Sequence, residues 1–464
     1  MVNRLKFFGV ICATFFIQSC TSSSQLDQNI QNVKHPDNWG KEKKINPVQD
    51  NWLAQLDNAQ IQQLVNQALQ ENHQLRINAY NVDIKKQALI VSGSQLWPEL
   101  DLSFTSGRNK SNTPTSYNNT NSLNLNLSYE VDIWGKLSDA EREANLSFLA
   151  EKANYEQHRQ KLVSDVVTAW FSVIEAEHLL ALYQNQAKTS QHNLEIIEAS
   201  YRSGLSNALD VYLSRNQLNN ELSRVETQKA SRTALVRKLE RLVGGYPHGD
   251  LSVEAELPLL KSEIPLGLPS QLITRKPSLK ASWYQLLAKD AKLAYAHKQR
   301  FPSIRLTGSI GDSQSDISDL LSASSLAWSL LGNISAPLFN AGRLKAGEER
   351  ARFELKQGEQ QYLDSLYSAF NEVENAITLE STLKSSYHTM LAAQQNAEIA
   401  QALSFEQYQS GLVTYTTVLD AQSRSFEAQS TLIKLKNELI ANRVNLHFSL
   451  GGDFSSSQPD AEVK

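Results

Sequence analysis

The chain is written twice, and that duplication limits its possible folds more than any other feature. YRSGLSNALDVYL, starting at Tyr201, returns as YQSGLVTYTTVLD starting at Tyr408, 207 residues on. At the same offset Gly135 meets Gly342, Leu137 meets Leu344, Tyr155 meets Tyr362, and Gly244-Gly245 meets Gly451-Gly452. Chance matches do not hold one register over such a distance, so an internal duplication of about 190 residues organises the fold. Upstream the offset is 204, where Trp97-Pro98 answers Phe301-Pro302 and Leu75 answers Leu279. A three-residue length difference therefore lies between the two sets of anchors, by expectation in a loop.

Within each copy the dominant pattern is helical. Lys136 to Ser203 contains neither glycine nor proline over 68 residues, and Val163, Val166, Val167, Trp170, Phe171 and Ile174 recur at helical spacing. At 1.5 Å per residue such a helix extends roughly 100 Å. A second uninterrupted run, Leu205 to Val243, has 39 residues, as does its counterpart Leu412 to Leu450. Helices of this length outrun any globular core and must bury their apolar stripes against neighbours as coiled coils do. Gly204 and Gly411 stand where the chain must reverse, a position that suits positive φ. Each copy thus reads as a helical hairpin with SGL at its tip.

Ahead of each long helix the period changes to two. Leu123, Leu125, Leu127, Tyr129 and Val131 alternate with Asn124, Asn126, Ser128 and Glu130, and Leu100, Leu102 and Phe104 alternate with Asp101, Ser103 and Thr105. The second copy repeats this with Ile304, Leu306 and Ile310, then Leu326, Trp328, Leu330 and Ile334. These are strands of about ten residues with one greasy and one wet face, long enough to cross a bilayer when tilted. GRNKSNTPTSYNNTN is expected to be a polar external loop between the first two. Four strands cannot close a barrel, and an open edge in lipid leaves amides unpaired at several kcal/mol each. The strands must therefore be pooled between chains, two copies supplying eight and three supplying twelve.

The N-terminus carries an address. Arg4 and Lys6 precede the apolar run FFGVICATFFI, which suits a signal peptide and is too short for a spanning anchor. The run ends in IQSC, placing Cys20 as the acceptor thiol of a bacterial lipoprotein, with Thr21 rather than aspartate behind it. Of the two cysteines, Cys12 leaves with the signal, so no intramolecular disulfide is possible. The expected organisation is a signal peptide over 1–19, a lipid-anchored segment over 20–57, a first repeat over 58–250, a linker over 251–269, a second repeat over 270–452 and a tail over 453–464.

Composition excludes several functions. The formal charge is −4, and loss of Arg4 and Lys6 leaves 43 basic against 49 acidic residues, which offers no basic surface for nucleic acid. There is no HExxH, no GxxxxGK and no cysteine pair. The nine histidines are scattered, EAEH near His178 lacks a second ligand at usable spacing, and Met390 is the only methionine outside the signal. No cofactor, metal or catalytic group is expected. Trp52, with Leu53 and Leu56, is expected to pack the N-terminal segment against the outside of the barrel.

YEVDIWGK at Tyr129–Lys136, KPSL at Lys276–Leu279, FPS at Phe301–Ser303 and the repeated YxSGL turns together resemble the TolC-like outer-membrane efflux family. The lipobox makes the chain most similar to its lipoprotein, NodT-type branch. The resemblance, covering Trp52 to Gly452, implies a mainly α protein with a transmembrane β-barrel. It implies a homotrimer whose twelve strands form one barrel in outer-membrane lipid, continued by a twelve-helix periplasmic α-barrel. It further implies a passive exit duct for small molecules, docked on a periplasmic adaptor and an inner-membrane transporter. Protein secretion of the type I kind is the nearest alternative. A periplasmic adaptor-like coiled-coil lipoprotein and a cell-wall hydrolase are more distant ones.

By the same resemblance, Asp210, Tyr408, Thr416 and Asp420 form a periplasmic gate, and Gly204-Leu205 and Gly411-Leu412 are the tips an adaptor grips. Val413 stands where some members carry the arginine that ties the gate, and Thr417 replaces a second aspartate. On spacing alone, the two aspartates equally suit solvated helix faces, and the Gly-Leu pairs equally suit simple capped turns.

Overall fold

The computed structural model describes residues 36–40, 48, 50–56, 58–112, 115–253, 256–259, 266–320 and 325–454. Cys20, the proposed lipid acceptor, lies outside them, as do the signal and the tail beyond Phe454; Phe454 itself is buried in a core. A 3-10 turn, Trp52–Leu56, leads into α1 (Ala59–Glu71) and α2 (His73–Ser94). Then come β1 (Glu99–Asn112), β2 (Thr115–Val131), α3 (Lys136–Arg202) and α4 (Ala208–Leu242). The second copy runs through α5 (Pro269–Arg275), α6 (Pro277–Lys298), β3 (Ser303–Gln314), β4 (Ala327–Ser335), α7 (Arg343–Gln409) and α8 (Tyr415–Ser449).

The duplication is reproduced in the matched lengths of the helices from α2 and α6 onward. Helices α2 and α6 are 22 residues each at offset 204; α3 and α7 are 67 each, and α4 and α8 are 35 each, at offset 207. Both hairpins fill equal spans, from Glu99 to Val131 and from Ser303 to Ser335. The three-residue difference therefore sits in the strand-to-helix joint, which takes four residues in the first copy (132–135) and seven in the second (336–342). The longer joint presents Leu338 and Phe339 to solvent at 96% and 90% exposure.

Two compact units divide the chain, one containing Tyr80–Asn154 and Leu279–Ser365, the other His35–Ala79, Tyr155–Ser278 and Leu366 onward. The first holds a four-stranded antiparallel sheet in chain order β1-β2-β3-β4. Leu102 pairs with Leu125, which pairs with Ile310, which pairs with Trp328. Directly opposed residues share a face, so this register gathers Leu100, Leu102, Phe104, Leu123, Leu127, Leu306, Leu330 and Ile334 on that same face. Asp101, Ser103, Asn124, Asn126, Thr307, Ser309 and Asn333 take the other. The greasy row is largely exposed, and all nine residues of β4 are exposed. Edges β1 and β4 have no strand partner among the described residues.

Three strands are longer than expected, at 14, 17 and 12 residues, while β4 has 9. Most of the anticipated polar loop is in fact ladder: β1 and β2 stay paired out to Asn112↔Thr115. Tyr117 and Asn121 find partners across the ribbon, Tyr117 under Arg108 and Lys110, and Asn121 Oδ1 accepting from Ser106 Oγ at 2.7 Å. Cross-strand pairing thus takes the place of a greasy face as the source of order.

The YEVDIWGK stretch works as a rivet where strand becomes helix. Asp132 caps α3, accepting from the Leu137 and Ser138 amides and the Ser138 hydroxyl. Burial opposes its charge, but those hydrogen bonds prevail and hold its carboxyl below the ordinary aspartate value. Trp134 Nε1 donates to Pro302 O at 2.6 Å and its ring meets Phe301 edge-on at 5.4 Å, while Lys298 reaches Gly135 O and Asp139. One copy's joint is thereby bolted to the other's.

In the second unit the main core joins Ile61, Val65, Leu75, Val166, Val167, Trp170, Ile174, Val236, Leu239, Ile440 and Val444. These supply the apolar stripes that α3, α4 and α8 need to exist at such length. Trp52 stacks on His447 of α8, with ring centroids 5.7 Å apart, and with Leu53 is buried in this core. It was expected on the outside of the barrel. His447 is itself buried, 4% exposed. Burial first, and the Arg443 charge second, push its pKa down to about 4. Lys276 of the KPSL stretch is buried, donating to Glu372 at 2.5 Å.

Candidate functional site

Both hairpins reverse by the same device. At the first tip the Gly204 amide donates to Tyr201 O and the Leu205 amide to Ser200 O; at the second, Gly411 donates to Tyr408 O and Leu412 to Gln407 O. Gly204 and Gly411 have φ of 75° and 73°, the left-handed region a side chain disfavours. This capping pattern turns each leucine outward, leaving Leu205 83% and Leu412 74% exposed.

Just behind the tips the two copies are tied together. Tyr408 of α7 donates its hydroxyl to Asp210 Oδ2 of α4 at 3.0 Å, and Ser206 Oγ lies 3.2 Å from each of these two oxygens. Asn207 caps α4 by accepting from the Asp210 amide at 2.9 Å, which fixes the carboxylate at the mouth of the first turn. Beneath this triangle lies an apolar cluster of Ile197, Val211, Tyr415 and Val418, flanked by Phe405. Tyr408 and Tyr415 approach to 5.4 Å between ring centroids. Burial raises the pKa of both phenols, and the Asp210 charge adds to the effect. Tyr408 is therefore a firm neutral donor. The clasp is one carboxylate, two hydroxyls and a greasy floor.

Of the residues anticipated from sequence, Asp210 and Tyr408 are brought together, while Asp420 and Thr416 are not. Asp420 lies on the open face of α8, paired with Arg424 at 3.0 Å. Thr416 shares a 2.7 Å hydroxyl contact with Thr414. Sequence reasoning missed Ser206, Tyr415 and Arg424, and it missed the Arg215–Glu198 ion pair at 2.7 Å, which clamps the legs of the first hairpin. The i, i+4 spacing of Asp420 and Arg424 was a legible signal. Ser206 left none, since its equivalent in the second copy is Val413.

The pattern of the outer membrane efflux protein family matches twice, over residues 64–245 and 268–452. The solvent efflux pump outer membrane protein SrpC of Pseudomonas putida is 30% identical over 406 residues, 85% of this chain and 86% of that protein. The probable outer membrane lipoprotein SilC of Salmonella typhimurium is 28% identical over 418 residues, 88% of this chain and 89% of its own. Among solved structures, the Campylobacter jejuni CmeC outer membrane channel has the same fold, with a TM-score of 0.85 at 22% identity over 95% of this chain and 94% of that one. With one match on each repeat and relatives aligned along nearly their full length, the chain belongs to the outer membrane efflux protein family.

Proposed function

We propose that this protein is the passive outer-membrane exit duct of a tripartite efflux assembly, working as a homotrimer. The observation that carries the proposal is a four-stranded sheet with an exposed apolar face and, among the described residues, no strand partner at either edge. In lipid such a sheet is untenable alone, and edge-to-edge pooling removes the unpaired amides. Three copies make a twelve-stranded barrel whose wet face lines a lumen. Cys20 carries the lipid. The exposed leucines at the tips are the grip for a periplasmic adaptor, and the Asp210–Tyr408–Ser206 clasp holds the periplasmic end shut until the adaptor engages. Asp420 lines that entrance. Energy and choice of cargo come from an inner-membrane transporter. The names of the relatives, for solvent and cation efflux, favour small cargo over exported protein.

Edge crosslinking tests the proposal. A protein carrying Leu102→Cys on β1 and Leu330→Cys on β4, with Cys20 as the only other cysteine of the mature chain and its sulfur taken by the lipid, is treated in native outer membranes with a bis-maleimide. The expected product is a ladder ending at three chains. A ladder ending elsewhere, or monomers alone, refutes the pooled barrel.

A further inference from the structure

The first hairpin is taller than the second. β2 pairs with β3 only up to Asn121, whereas its pairing with β1 continues through six more positions, Gly107↔Thr120 to Asn112↔Thr115. This projecting ribbon lies at the end of the sheet away from all four strand-to-helix junctions. Between Gly107 and Thr120 it contains two cations, Arg108 and Lys110, and no carboxylate. Both are exposed, and among the described residues neither forms an ion pair. They converge on one ring: Arg108 Cζ lies 4.8 Å and Lys110 Nζ 5.8 Å from the centre of Tyr117.

The face they occupy decides their role. Arg108 and Lys110 continue the even-numbered row of Leu100, Leu102 and Phe104, and Tyr117 continues the odd-numbered row of Leu123, Leu125 and Leu127. That is the greasy side of the sheet, not the wet one. Cations there cannot serve cargo in the lumen. From Phe104 to Arg108 the strand climbs four residues, about 13 Å along its axis, or roughly 10 Å of height at the usual barrel tilt. The apolar band thus ends and a cation–aromatic cluster begins at the depth where lipid phosphates sit. Asn112 and Asn119 share this face, as their pairing with Thr115 and Arg108 requires. Amides beside an aromatic ring suit sugar hydroxyls.

We propose that Arg108, Lys110 and Tyr117 form a binding site on the outer wall of the barrel for a phosphorylated glucosamine lipid of the surface leaflet. The cations take the phosphate, the tyrosine ring lies along the sugar, and the acyl chains run down the Leu100–Phe104 row. The second hairpin offers no equivalent, since Asp312 is the residue that follows Ile310 on this face. One such lipid is expected per chain. The site rests on reading the sheet as membrane-spanning.

The test uses the purified full-length protein, stripped of lipid by detergent exchange, with bis-phosphorylated lipid A, dephosphorylated lipid A and phosphatidylglycerol as probes. Pore formation is measured on the same preparation in planar bilayers. Wild type is expected to prefer bis-phosphorylated lipid A, with binding that weakens as salt rises. Arg108→Ala with Lys110→Ala should bind it roughly 25-fold more weakly, whereas Arg108→Lys with Lys110→Arg should stay within about threefold of wild type. Equal binding by the double alanine variant overturns the site, and equal binding of phosphatidylglycerol overturns the choice of lipid. A pore that conducts normally but shows no preference for the phosphorylated lipid removes the site and leaves the duct intact. A protein that forms no pore even when Tyr408→Phe releases its clasp removes both.

Discussion

Tyr408→Phe isolates the clasp with the least disturbance. Phenylalanine keeps the ring against Tyr415 and Phe405 and removes only the hydroxyl that donates to Asp210 at 3.0 Å. A hydrogen bond to a carboxylate contributes about 1.5–3 kcal/mol when shielded. Tyr408 is half-buried and Asp210 is not enclosed, so screening brings the figure to about 1 kcal/mol per chain. Three copies acting on one aperture sum to about 3 kcal/mol, which shifts a closed-to-open equilibrium by roughly 150-fold. The readout is single-channel recording in planar bilayers, where Tyr408→Phe should spend far more time open than wild type. Asp210→Ala, which has no acceptor, should do the same, and the pair together should add little beyond either alone, because both remove the Tyr408–Asp210 bond. Gating by Tyr408→Phe indistinguishable from wild type, or fully additive effects in the double variant, would refute the clasp.

Further outcomes follow from other parts of the structure. Asp420→Ala leaves Arg424 unpaired on an open helix face; selectivity in bilayers should move from cations towards anions, while thermal stability changes by no more than about 0.5 kcal/mol per chain. His447 has a folded pKa of about 4 against 6.5, so the unfolded chain takes a proton that the folded one refuses. The stability it contributes is whole above pH 6.5 and is lost as pH falls towards 4, by about 3 kcal/mol per chain; in calorimetry His447→Phe should flatten that slope. Gly311→Ala would set a methyl 2.4 Å from Leu123 O, straining the sheet by about 1–3 kcal/mol and depleting heat-modifiable trimers from outer-membrane fractions. At Gly411 an added Cβ meets nothing within 4 Å but must accept a φ of 73°, a local strain of about 1–2 kcal/mol at the tip, so Gly411→Trp should still assemble as trimers yet lose efflux in a drug-susceptibility assay; normal resistance would remove the docking role of the tip.

How far the sequence could be read depended on whether a feature was periodic. Three of the four long helices were visible to within a few residues, because freedom from glycine and proline over 39 or 68 positions leaves few other folds; the fourth, α7, carries Gly347 and Gly358 and was legible only through the repeat. The alternation of Leu123 to Val131 likewise gave the correct face and partner. The upper part of the first hairpin was misread as a loop because its order comes from cross-strand polar pairs, and those leave no period-two mark in hydrophobicity. The Trp52–His447 stack was not legible for a related reason. Nothing in the local sequence around either one announces the other, and only the fold makes them stack. At the tips, Asp210 and Tyr408 were found through likeness to other chains. Ser206 and Tyr415 complete the cluster through tertiary packing, which no spacing rule reports.

The matched lengths of the legs, 67 with 67 and 35 with 35, restrict how such a molecule can change over generations. Adding one residue to a single leg would swing everything beyond it by about 100° around its axis, pulling Asp210 off Tyr408. A whole heptad in one hairpin alone would leave its turn about 10 Å proud of the other. Taller or shorter descendants are therefore reachable only through coordinated edits to all four rods, and lineages should differ in reach by jumps rather than by single codons.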